Sequence, residues 1–99
     1  MGNLKMEAFD DLFMAVLKLN SKEDCRKFFE DVCTIKELQD VSQRLEVAKL
    51  LKEGKNYQEV SKKTGASTAT ICRVNKCLNY GSGGYEIVLK GEGEEDDDK

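Results

Sequence analysis

Apolar residues recur through the first half of the chain at helical spacing. From Glu7 onward, Phe9, Leu12, Phe13, Val16 and Leu17 fall at i, i+3, i+4, i+7 and i+8, one wide apolar stripe on a helix ending near Leu19. Ser21 with Asp24 makes a capping-box-like start for a second helix, in which Cys25, Phe28, Phe29 and Val32 repeat the spacing up to about Cys33. Thr34 with Glu37 is a cleaner capping box. It opens the longest predicted helix, about Lys36 to Glu53, with Leu38, Val41, Leu45, Ala48 and Leu51 on one side, Val47 and Leu50 beside them, and Gly54 as its stop.

The next stretch changes character. Asn56 can accept from the first-turn N–H groups of a helix over Tyr57 to Lys63, and Glu59 can reach back to it. Gly65 can take the left-handed conformation that ends a helix tightly, and Ala66 is small enough to sit where two crossing helices nearly touch. Ser67 is a good N-cap for a helix over Thr68 to Leu78, whose Ile71, Val74 and Leu78 form an apolar stripe facing Val60. Any helical hairpin could carry part of this pattern. The order of cap, glycine, small residue and polar helix is the one a DNA-reading helix-turn-helix requires. Ser67, Thr68 and Thr70 at the start of the second helix are suited to base or phosphate contact, and Lys62, Lys63, Arg73 and Lys76 to phosphates.

Five helices with caps or stops and no proline make an all-α chain. Gly81-Ser82-Gly83-Gly84 reads as a hinge, and Tyr85 to Leu89 as a short apolar piece of unassigned type, with Gly83, Gly84 and the β-branched Ile87 and Val88 fitting a helix poorly. Gly91 to Lys99 is acidic, of low complexity and expected to be disordered. The reading therefore divides the chain into N-terminal dimerisation helices (1–54), the helix-turn-helix (55–80), a short segment (81–90) and the tail (91–99).

Ninety-nine residues supply one modest core. All four phenylalanines lie in the first two helices, a surplus of apolar surface that predicts a second subunit, hence a homodimer. The formal charge of -3 disfavours nucleic acid until its placement is considered. Residues 91–99 hold six acids and one lysine, so residues 1–90 are mildly basic, and Lys52 to Lys76 holds six basic residues against two acids. The tail reads most simply as solubilising; the sharper alternative is that it mimics DNA and competes for the basic helix. Four cysteines without a C-x-x-C pair, and no histidine, argue against metal and against an enzyme. Cys25 and Cys33 read as small buried thiols in a reducing compartment. With neither a membrane span nor a signal peptide in the pattern, the chain is expected to be cytoplasmic.

The run Gly65-Ala66-Ser67-Thr68-Ala69-Thr70-Ile71-Cys72-Arg73, with Thr34-Ile35-Lys36-Glu37, Arg44 and Leu50-Leu51-Lys52-Glu53-Gly54 before it, resembles the tryptophan repressor family, and the whole chain its YerC/YecD branch. The resemblance is strong over Thr34 to Leu78 and weaker over the N-terminal helices. It implies an interlocked, all-helical homodimer whose helix-turn-helix heads bind a palindromic operator. It also implies a corepressor, tryptophan, held between two arginines, matched here by Arg44 and Arg73, with Thr34 as a further pocket residue. Two positions depart from the family: Val74 stands where a glycine leaves room for the indole, and Cys77 replaces a serine that meets the ligand's amino group. Both departures argue against tryptophan as the effector. The reading is thus a sequence-specific transcriptional regulator, a repressor by resemblance, binding double-stranded DNA through helix 68–78. The alternative is a protein-interaction adaptor whose helix-turn-helix no longer touches DNA.

Overall fold

The computed structural model describes residues 5–90. The expected disorder over 91–99 lies outside them, as does most of an N-terminus read as loose. Six α-helices follow a 3-10 turn at Met6–Phe9: α1 (Asp10–Val16), α2 (Lys22–Val32), α3 (Ile35–Lys52), α4 (Tyr57–Thr64), α5 (Thr68–Tyr80) and α6 (Gly84–Leu89). The described residues contain no strand, as the all-α reading requires.

The chain forms two compact units, residues 1–38 and 39–99. In the first, the single helix expected from Glu7 to Leu19 is broken. It begins as the 3-10 turn, becomes α-helical at Asp10, where Asp10 and Asp11 favour a helix N-terminus, and ends at Val16 in a turn closed by Lys18 N–H to Ala15 C=O at 3.1 Å. The Ser21 hydroxyl caps α2 by accepting from Asp24 N–H at 3.0 Å. At the start of α3 the capping box is complete: Glu37 N–H donates to the Thr34 hydroxyl at 3.0 Å, and Thr34 N–H to the Glu37 carboxylate at 2.9 Å. Phe9 and Phe13, and Phe28 and Phe29, meet edge to face. No residue of α1 or α2 is buried. Cys25 is exposed and Cys33 half-buried, which corrects the expectation of buried thiols.

The second unit holds the core, made of Val47, Ala48 and Leu50 of α3, Val60 of α4, Ala66 of the turn, Ile71 and Val74 of α5, and Leu89 of α6. The C-terminal half of α3 therefore packs with the helix-turn-helix, and the compact units divide within α3. The face of α3 used is also rotated from the one expected. Val47, Ala48 and Leu50 are buried, whereas Val41 and Leu45 stay 56% and 42% exposed.

The segment of unassigned type is α6. Gly83 supplies the left-handed N-cap (φ 91°), Leu89 enters the core, Tyr85 packs against it, and Glu86 pairs with Lys52 at 2.8 Å. Burial of Leu89 and Tyr85 outweighs the poor helix propensity of Ile87 and Val88, which stay exposed. Among the described residues no helix is long and apolar enough to cross a membrane.

Candidate nucleic-acid interface

The three residues Gly65, Ala66 and Ser67 join α4 to α5. The capping box at Asn56 fixes the start of α4: Glu59 N–H donates to the Asn56 side chain at 2.9 Å, and Asn56 N–H to the Glu59 carboxylate at 3.0 Å. Gly65 ends α4 in the left-handed region, at φ 77°, and its N–H donates to Ser61 C=O at 2.8 Å. Ala66 is buried where the two helices meet. The Ser67 hydroxyl accepts from Thr70 N–H at 3.2 Å and so starts α5.

Three residues that sequence reasoning missed fix the turn. The Ser61 hydroxyl donates to Ala66 C=O at 2.9 Å. Thr64 donates its hydroxyl to Val60 C=O at 2.8 Å and accepts from Ala66 N–H at 3.1 Å. From α3, the Gln43 amide donates to Thr64 C=O at 3.1 Å. Polar groups in a half-buried turn must find partners, and here they find one another. A hydroxyl residue just before a helix-ending glycine is a legible signal for the Thr64 bonds. Gln43 carries no such signal, because its partner lies 21 residues away.

The residues singled out for DNA fall on the outside of this scaffold. Lys62 and Lys63 are exposed in the last turn of α4, and Arg73 and Lys76 on α5. Ala69, Arg73, Lys76 and Tyr80, spaced i, i+4, i+7 and i+11, run along α5 on the side opposite Ile71 and Val74. Ser67 and Thr68 are exposed and Thr70 half-buried. The hydroxyls of Ser67 and Thr70 lie 3.2 Å apart, and Thr68 opens instead onto a shallow cleft of about 310 Å³ shared with Tyr57, Ser61 and Lys62. Hydroxyl groups and the Lys62 cation thus share the surface at the start of α5, a composition suited to a phosphate backbone and base edges.

The residues matched to an effector pocket lie on α3, at its N-terminus and on α5. Arg44 and Cys77 line a cavity of about 510 Å³ with Leu45, Tyr85 and Val88. Arg73 is exposed on α5, Val74 is 1% exposed within the core, and Thr34 caps α3 in the N-terminal unit. With its isopropyl group packed into the core, Val74 leaves no recess of the kind a glycine would leave. The cavity is walled mainly by apolar side chains and the Gly81 to Gly84 backbone. These residues do not fit the tryptophan site that the resemblance implies.

Helix α5, joined to α4 by a hydrogen-bonded three-residue turn and carrying hydroxyls and cations outward, defines an all-helical protein built around a helix-turn-helix. The chain belongs to the Trp repressor protein family, whose model matches residues 7–92. It is 51% identical over 86 residues to the uncharacterized protein YerC of Bacillus subtilis, covering 87% of this chain and 83% of that protein. Among solved structures, it is similar to a TrpR-like protein from Eubacterium eligens (50% identity, TM-score 0.85, 94% of this chain and 96% of that one). A candidate Trp repressor from Staphylococcus aureus is 42% identical with TM-score 0.83, covering 92% and 96% of the two chains.

Proposed function

We propose that the chain is a sequence-specific, DNA-binding transcriptional regulator that acts as a homodimer and inserts α5 into the major groove. The observation that carries this reading is the outward side of the helix-turn-helix, where Lys62 and Lys63 are exposed on α4, Lys62 beside Thr68 at the start of α5, and Arg73 and Lys76 are exposed further along α5. Membership of the Trp repressor family supports it. In this reading Thr68 reaches base edges while Ser67 and Thr70 hold the helix start and meet phosphates.

The dimer is supported by the apolar surface a single chain leaves open. In the first unit Leu12, Met14, Leu17 and Ile35 are exposed, and in the second Val41, Leu45, Ile87 and Val88. Covering a Leu, Ile or Met side chain contributes about 1.5–3 kcal/mol, so a partner that covered even half of them would stabilise the assembly substantially. Repression is proposed from the family, and tryptophan is not part of the mechanism, because Val74 and Cys77 remove the room and the hydrogen-bond partner it would use.

Titration of bulk duplex DNA at several salt concentrations tests the proposal. Binding should weaken steeply as salt rises. Salt-independent absence of binding would favour a protein-interaction adaptor.

A further inference from the structure

We infer that Gln58, on α4, reads an adenine in the major groove of each half-site, with Lys62 fixing a phosphate beside it. The inference rests on the regulator reading above and adds to it a specificity-determining residue that lies outside the reading helix.

The cleft at the start of α5 carries it. Tyr57, Gln58, Ser61 and Lys62 of α4 and Thr68 of α5 line one shallow recess of about 310 Å³, which gathers them around a single stretch of ligand. Gln58 and Lys62 stand four residues apart on α4 and are therefore neighbours on one face. Val60, between them in sequence, is fully buried in the core, which keeps that face outward. Thr68 is the first residue of α5, at the end of a reading helix that meets base edges. Gln58 thus lies beside the point at which α5 enters the groove.

The side chains of the cleft differ in what they can specify. Ser61 is already spent, since its hydroxyl donates to Ala66 C=O at 2.9 Å. Lys62 is a point charge with no acid paired to it among the described residues, and a point charge suits phosphate. A hydroxyl such as that of Thr68 donates or accepts as its partner requires and separates the bases weakly. The Gln58 amide instead holds a donor and an acceptor side by side, the complement of adenine N7 and N6. A phosphate would use the donor alone and leave the carbonyl oxygen against an anion.

The neighbouring amides are engaged, Asn56 in the capping box and Gln43 on Thr64 C=O. Gln58 is exposed, and among the described residues its side chain makes no hydrogen bond, so both of its groups are available to a base.

The test uses the full chain and its variants Gln58→Ala and Gln58→Arg. The site is exposed and both replacements are good helix formers, so both variants should fold. Each protein selects duplexes from a random pool, and affinity is then measured for all four bases at every position of the selected half-site. The unaltered chain should prefer adenine at one position of each half-site by about ten- to a hundredfold. Gln58→Ala should lose that preference and no other. Gln58→Arg should move it to guanine, whose O6 and N7 both accept from arginine. Damage to the fold, or loss of a phosphate contact, would weaken binding to every sequence and leave the preferences in place. Uniform weakening therefore overturns the inference, as does an adenine preference that survives in Gln58→Ala. In both cases the unaltered chain still selects a sequence, so the regulator reading stands. Failure of the unaltered chain to enrich any sequence would overturn the regulator reading, and the role of Gln58 with it.

Discussion

Gly65 is the pivot on which α5 is aimed, and the Gly65→Ala variant measures what that pivot is worth. The residue sits at φ 77°, and a Cβ at this position would meet nothing closer than the Gln43 amide nitrogen at 4.0 Å, ordinary van der Waals contact. The penalty is therefore conformational rather than steric. Holding an L-residue in the left-handed region costs about 1–2 kcal/mol, and that is the expected loss of stability. For a domain of this size it corresponds to a fall in Tm of about 4–8 °C per kcal/mol. Two controls separate the backbone effect from everything else. Gly54 has φ 92° and open space where a methyl group would sit, with nothing within 4 Å, so Gly54→Ala should cost about the same. Gly65→Asn should cost less, because asparagine visits the left-handed region more readily than alanine. Urea unfolding at one fixed protein concentration is the assay, since self-association makes midpoints depend on concentration. Equal losses for alanine and asparagine, or a loss beyond about 3 kcal/mol for Gly65→Ala, would place its origin outside the backbone conformation and refute the reasoning.

Charge removal at the α4 end has a distinct signature: a variant with Lys62→Gln and Lys63→Gln should bind all DNA sequences more weakly and shallow the log K against log salt slope by about 0.9 for each phosphate no longer neutralised, whereas an unchanged slope would remove both lysines from the interface. Ile71 is fully buried in the core, so Ile71→Ala should cost about 2–5 kcal/mol in chemical denaturation, with a loss below about 1 kcal/mol showing that α5 is not packed as described. Loss of the Ser67 cap in Ser67→Ala should cost about 1 kcal/mol, read by the same assay. Sedimentation at micromolar concentration should return a mass of two chains, and a stable monomer would contradict the homodimer.

The parts of this fold that were legible in the sequence are those written by local chemistry. The boxes at Thr34 and Glu37 and at Asn56 and Glu59, the left-handed Gly65 and the Ser67 cap each depend on residues no more than three or four positions apart. The stripe of Val60, Ile71 and Val74 was legible for the same reason. What periodicity could not supply was the choice among adjacent apolar faces. On α3, Val41 and Leu45 lie on a face next to Val47 and Leu50, and only packing by α4, α5 and α6 decides which is buried. The assignment of α6 failed similarly, since propensity disfavoured a helix that Leu89 and Tyr85 stabilise through tertiary contact. At the interface, the outward cations followed from spacing on α4 and α5, while the anchor from Gln43 to Thr64 C=O needed three dimensions.

Selection of bound duplexes from a random-sequence pool, run with and without tryptophan, tests the central claim most directly. A DNA-reading dimer should enrich a two-fold symmetric sequence with half-sites about 34–36 Å apart, the same in both arms. A pool that emerges as random as it entered would contradict it.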